Sequence, residues 1–116
     1  MNKRTIGTQF ESLAAEYLEN IGYEILEQNF RSRRGEIDII AKDGDYLVFV
    51  EVKYRTNEAS GRPEEHVDSL KQHKITNAAK YYLCKNRLPE DTFCRFDVIG
   101  LNDGHIQHFQ NAFDAC

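Results

Sequence analysis

The segment GEIDIIAKDGDYLVFVEVKYR, Gly35 to Arg55, constrains the fold more than any other part of the chain. Two apolar runs flank Asp43-Gly44, a dipeptide suited to the positive backbone angles of a tight hairpin turn. The runs are those of a buried sheet, yet Asp38, Glu51 and Lys53 interrupt them. A charge taken out of water costs on the order of several kcal/mol unless it is paired or bound to a metal. The placement of these three therefore asks for a chemical reason.

Side chains alternate between the faces of a strand. Alternation puts Phe49, Glu51, Lys53 and Arg55 on one face and Val48, Val50, Val52 and Tyr54 on the other. On the preceding strand Glu36, Asp38 and Ile40 go together, opposite Ile37, Ile39 and Ala41. A loop at Asp43-Gly44 pairs Asp38 with Phe49 and leaves Glu51 diagonal to it; a loop at Gly44-Asp45 pairs Asp38 with Glu51 directly. Both registers put the carboxylates on one face, roughly 5–8 Å apart between β-carbons.

Two ionised carboxylates that close repel one another. Mg²⁺ or Mn²⁺ relieves the repulsion, since a hard cation takes one or two protein carboxylates and fills its remaining positions with water or phosphate oxygens. Lys53, one pleat away, is placed to stabilise charge on a phosphate or to orient an attacking water. A Lewis acid, an activated water and a cation at the scissile phosphate are the parts of metal-assisted phosphodiester hydrolysis. The competing reading makes Asp38–Lys53 and Glu51–Arg55 ion pairs on a solvated sheet face.

The rest of the chain supplies the layers for this hairpin. Thr5 to Asn20 reads as an amphipathic helix with Phe10, Leu13, Ala14, Tyr17, Leu18 and Ile21 at helical spacing, ended by Gly22. Glu11 lies at the edge of that stripe, where it can look across to a sheet beneath. Tyr23 to Phe30 reads as a strand, followed by the basic turn Arg31 to Arg34. A polar loop, TNEASGRPEEH, precedes a second helix from Ser69 to about Asn86, with Ser69 and Gln72 matching a capping box and Pro89 barring continuation. Phe93 to Leu101 and Ile106 to Phe109 read as further strands around Asn102-Asp103-Gly104. The order α-β-β-β-α-β-β predicts an α/β fold, a mixed sheet of about five strands flanked by helices, in a single domain over 1–116.

With 41% hydrophobic and 29% charged residues in 116, the chain is composed as a globular domain and not as a disordered one. No run reaches the ~20 apolar residues of a membrane span, and the first residues show no secretory signal, so a cytoplasmic location is expected. Cys84, Cys94 and Cys116 match neither a disulfide framework nor a zinc site and are expected as reduced thiols. His105 and His108 are expected at the surface. A net charge of −4 disfavours nonspecific nucleic-acid binding, but Arg31, Arg33, Arg34, Lys53, Arg55, Arg62, Lys71, Lys74 and Lys80 allow a local basic rim.

An Asp, then Glu-x-Lys across a hairpin, behind a Glu-bearing helix, resembles the PD-(D/E)xK superfamily with its restriction-endonuclease-like core. A closer resemblance runs over nearly the whole chain, to the bacterial YraN-like family of predicted endonucleases, themselves distantly similar to archaeal Holliday-junction resolvases. It is carried by Gly7, Glu11, Ala15, Tyr17-Leu18, Gly22-Tyr23, Asn29-Phe30-Arg31, Gly35-Glu36-Ile37-Asp38-Ile39-Ile40, Phe49-Val50-Glu51-Val52-Lys53, Arg55, Lys71-Gln72 and Arg95-Phe96-Asp97-Val98-Ile99. Ile37 stands where the superfamily name has proline.

The resemblance implies that Asp38, Glu51 and Glu11 hold Mg²⁺ or Mn²⁺ and that Lys53 completes the catalytic set. It implies a polar contact from Gln72. Arg55, by its place on the active face, is a candidate phosphate contact, and the basic turn makes Arg31, Arg33 and Arg34 further nucleic-acid-binding candidates. The implied activity is metal-dependent endonucleolytic hydrolysis of DNA, on branched or structured substrates, by a homodimer. The rival is a nucleic-acid-binding or DNA-processing accessory module without catalysis on the same fold. A protein-interaction domain is the third reading, and it leaves Asp38, Glu51 and Lys53 together by coincidence.

Overall fold

The computed structural model describes residues 3–55, 67–102 and 104–115, with the side chains of 3–8 and 55 excepted. The expected loop TNEASGRPEEH, Arg62, Asp103 and Cys116 lie outside the described residues. The elements follow in the expected order: α1 (Lys3–Asn20), β1 (Glu24–Ser32), β2 (Gly35–Asp43), β3 (Tyr46–Arg55), α2 (Ser69–Lys85), β4 (Cys94–Asn102) and β5 (His105–Phe113). They form one five-stranded sheet in the order β1-β2-β3-β4-β5. Neighbouring strands are antiparallel except β3 and β4, whose parallel pairing requires the crossover that contains α2.

Each helix covers one face. Ala14, Ala15 and Leu18 of α1 pack with Tyr23, Ile39, Ala41, Val48, Val50, Ile99 and Leu101. Ile75, Ala78, Ala79 and Tyr82 of α2 pack with Phe30, Ile37, Ile40, Phe49, Phe96 and Val98. Two residues expected in the α1 stripe, Leu13 and Ile21, are instead exposed, because contact with the sheet is made through the small residues Ala14 and Ala15. Such small side chains let the helix approach closely and leave its flanks in water.

The central hairpin takes the second of the two registers. Asp43 pairs with Tyr46 around Gly44-Asp45, and Gly44 has the positive φ of 59° that this turn demands. Ile39 faces Val50 and Ile40 faces Phe49, after which the paired rows end. Beyond that point β2 stays with β1 while β3 continues along β4, so the two central strands fork.

Within the central hairpin strict alternation fails at one place, and it is the informative one. Ile37 was expected on the same face as Ile39, but it packs under α2 whereas Ile39 packs under α1. Asn29 of β1, between the Gln28–Ile39 and Phe30–Ile37 pairs, has φ of 55°. A left-handed residue reverses the pleat locally, and asparagine tolerates that conformation better than most. The irregularity delivers Phe30 and Ile37 together to the α2 side, with Asp38 opposite Asn29 at the switch.

Two further expectations are corrected at element ends. The N-cap of α2 is Asp68, whose side chain accepts from the Lys71 amide at 2.8 Å, one residue ahead of the expected Ser69. Gln72 reaches back past the cap to the Val67 carbonyl at 2.8 Å. β1 and β5 each run longer than expected because pairing with a neighbour holds residues whose own sequence is polar.

Candidate active site

The fork between β2 and β3 is where the charged residues of the hairpin meet. Where a backbone partner would otherwise sit, the Val52 amide donates to the Asp38 carboxylate at 2.7 Å. Asp38 therefore closes the fork with its side chain. Glu51, next along β3, is 6% exposed and, with Asp97, one of two buried charged residues among the described residues. Lys53 lies on the same face, its Nζ 3.7 Å from Glu51 Oε1. The ion pairs thus differ from the solvated Asp38–Lys53 alternative: Lys53 leans on a buried glutamate.

Each helix adds a side chain to this fork. From α1, Glu11 reaches Asn29 and Asp38, and its Oε2 is buried with no hydrogen-bond partner among the described residues. From α2, Lys71 places Nζ 3.0 Å from Glu51 Oε1. Glu11, Asp38 and Glu51 are thus drawn together, as expected, with Lys53 beside them. The Arg55 side chain lies outside the described residues. Gln72 is occupied in securing the start of α2.

Electrostatics at the fork follow from crowding. Burial, then the nearby Glu51 and Glu11 charges, push the Asp38 carboxyl up to about 8 against the lowering effect of the Val52 amide. Burial also raises Glu11, with Asn29 and Arg31 pulling the other way and Glu51 adding to the rise. At Lys71 burial favours the neutral amine, but the Glu51 carboxylate outweighs it and raises the pKa. A site that resists ionisation of its own acids is short of positive charge, and Lys71 supplies part of it.

The residues suit a hard divalent cation in chemistry: three carboxylates, one of them with a buried oxygen lacking a partner. They do not form a finished cage. No group of His, Cys, Asp and Glu among the described residues stands ready-arranged for a metal, since Asp38 is turned to Val52 and Glu51 to Lys71.

Lys71 and Asn29 were not assigned to this site from sequence. Lys71 had a visible signal, since it opens the helix after the Glu-x-Lys strand, but its distance to Glu51 depends on the crossover. Asn29 meets Glu11 of α1, and nothing in the sequence pattern signals its left-handed backbone.

A second polar cluster lies on the α1 side. Asp97, fully buried, accepts from Arg95 Nε at 2.9 Å and from the Asn111 amide at 3.0 Å through Oδ1. Its Oδ2 meets His108 Nε2 at 2.7 Å and the Tyr23 hydroxyl at 3.2 Å. Arg95 also bonds Tyr23 and reaches Asp43 at 3.0 Å. His108, expected at the surface, has a side chain only 6% exposed, because Asp97 holds it inward. Burial alone would raise Asp97, but His108, Arg95 and Asn111 outweigh it and hold the carboxyl low. Every Asp97 lone pair direction is engaged within the protein, which makes this cluster a structural tie between β4, β5 and Tyr23 at the entry to β1.

The geometry has a counterpart in sequence. The model of "Uncharacterised protein family UPF0102" matches residues 10–101. The chain belongs to this family. A UPF0102 protein of Lachnoclostridium phytofermentans is 56% identical over 115 residues, covering 99% of this chain and 98% of the relative. UPF0102 proteins of Thermodesulfovibrio yellowstonii and Geobacter metallireducens are each 47% identical, covering 97% and 98% of this chain and 99% and 96% of their own lengths. The family match takes in every residue of the fork from Glu11 to Lys71. No helix among the described residues is long and apolar enough to cross a membrane.

Proposed function

We propose that this UPF0102 protein is a Mg²⁺- or Mn²⁺-dependent endonuclease that hydrolyses phosphodiester bonds of branched or structured DNA. The supporting observation is the convergence of Asp38, Glu51 and Glu11 at the β2–β3 fork beside Lys53. Nothing in a sheet's stability requires three carboxylates there, and their mutual repulsion works against it. Asp38, Glu51 and Glu11 would hold the metal, which when bound would act as a Lewis acid and lower the pKa of a coordinated water. Lys53 is placed to orient water or to neutralise a phosphate oxygen, and Lys71 to take the same load from the helix side. The carboxylate of Glu51 holds both amines in place. A homodimer, with one fork for each strand of a junction, accords with the resolvase-like resemblance, as does a cytoplasmic location.

The Glu51–Lys71 ion pair favours a second reading, a DNA-processing accessory module whose acidic cluster is neutralised by lysine and never binds metal. The two readings part on cleavage of labelled duplex, single-stranded and four-way-junction DNA with Mg²⁺ or Mn²⁺. The nuclease reading expects wild type to cut at least one substrate and Lys53→Ala to lose that cutting by 100-fold or more, on the order of general acid–base effects. Equal persistence of every substrate with both proteins sinks it. Binding of the same DNA in chelator, weakening as salt rises, would then support the accessory module.

A further inference from the structure

The β1–β2 turn is built against α2 and holds its arginines in place. Ser32 Oγ donates to the Gly35 carbonyl at 3.0 Å and accepts from the Arg34 and Gly35 amides at 3.2 and 3.3 Å. Gly35 lies so close to α2 that a β-carbon would come 2.5 Å from the Lys74 carbonyl oxygen, inside van der Waals contact with backbone. The backbone of Arg33 and Arg34 is therefore held beside one face of α2. That face carries Lys71, Lys74, Asn77, Tyr81 and Cys84, residues three or four apart.

Two adjoining cavities fill the angle between turn and helix. One of about 330 Å³ is lined by Arg33, Arg34, Gly35, Glu36, Lys71 and Lys74. The other, of about 590 Å³, shares Ser32, Arg33 and Arg34 with it and continues to Arg31, Asn77, Lys80 and Tyr81. The smaller begins at Lys71, whose Nζ touches Glu51, so the groove opens from the candidate active site. From Lys71 to Tyr81 the helix rises about 15 Å. Tyr81 is 46% exposed yet backed by buried Phe30, ring centroids 6.0 Å apart. It offers an aromatic face in the wider cavity, amid Arg31, Arg33, Arg34 and Lys80, on a chain whose net charge is −4.

The geometry points to a single-stranded nucleic-acid subsite in this groove, with backbone phosphates along Arg33, Arg34, Lys74 and Lys80 and a base stacked on Tyr81. It rests on the endonuclease reading for what lies at the Lys71 end. A cationic track with an aromatic platform suits unpaired strands, because a base must be unstacked from its partner to lie on a side chain. The cavity volume fits one nucleotide-sized group. A continuous duplex has no base free to enter it. The substrate class this implies is DNA with a single-stranded arm or flap leaving the point of cutting.

Fluorescence anisotropy in EDTA, with a labelled single-stranded oligonucleotide and its duplex, tests the subsite apart from cleavage. Tyr81→Ala is expected to weaken single-strand binding about tenfold, to spare the duplex, and to leave the salt slope unchanged, while Tyr81→Phe restores affinity. Arg33→Ala with Lys80→Ala is expected to lower the salt slope by about 1.4. Unchanged single-strand affinity in these variants overturns the subsite, as does equal loss on duplex or failure of the wild type to bind the single strand. Loss confined to the single strand alongside inactive wild type would retain the subsite and remove the endonuclease reading instead.

Discussion

Asp38 does at residue scale what its position in the hairpin forced it to do. Its carboxyl stands in for a missing strand partner at Val52, and it shares the fork with two other acids. Both burial and its neighbours favour the protonated form. That contribution to stability is fully present below the ordinary value of 3.8 and is lost as pH rises through about 8. Asp38→Asn keeps an acceptor for the Val52 amide and cannot ionise. Its unfolding free energy in urea is expected to match wild type near pH 4 and to exceed it at pH 8, on the order of several kcal/mol, if the fork holds an unrelieved acid. Equal midpoints at both pH values would show that the carboxylate is already relieved by Lys53 and Lys71. Parity in the sequence put Asp38 and Glu51 on one face; it could not show Ile37 crossing to the α2 side, because that turns on one left-handed residue in a different strand, Asn29.

At the scale of elements, β5 depends on β4 through a buried charge. Its sequence, HIQHFQNAF, is polar and largely exposed, and Asp97 fastens it through His108 and the Asn111 amide. Asp97→Asn removes the buried negative charge that Arg95 and His108 face, though Arg95 keeps Asp43, and is expected to cost about 3 kcal/mol in denaturant unfolding. The folded pKa of Asp97 is depressed, so the wild-type advantage is present above the ordinary carboxylate value and is lost as pH falls through the lowered one. The gap between wild type and Asp97→Asn should therefore shrink in acid; a gap independent of pH would assign the loss to packing. A lone acid inside strand β4 and a histidine eleven residues later carry no periodic signal of contact, which is why His108 reads as surface until the β4–β5 rows are paired.

Five of the seven elements meet at the fork. Glu11 comes from α1, Asn29 from β1, Asp38 from β2, Glu51 and Lys53 from β3, and Lys71 from α2. A ligand held there by several of them binds the folded state alone and stabilises the entire fold by mass action. Mn²⁺ at about 100 times its Kd is expected to add about 2.7 kcal/mol to wild type and nothing to Glu51→Gln, read as a rise in thermal midpoint at pH 7. A rise of equal size in Glu51→Gln would place the ion elsewhere.

Local pattern was enough for the element order, the central hairpin and the shared face of Glu51 and Lys53, because these depend on side-chain alternation and turn residues within a few positions of each other. The tertiary structure decided the rest: the register of the turn, the fork beyond Ile39 and Val50, the meeting of Lys71 with Glu51, and the inward turn of His108. Those contacts join residues up to some twenty positions apart across a helical crossover, a reversed pleat and an extended strand pair. Their distances are set by how layers pack, and no periodicity along the chain encodes that.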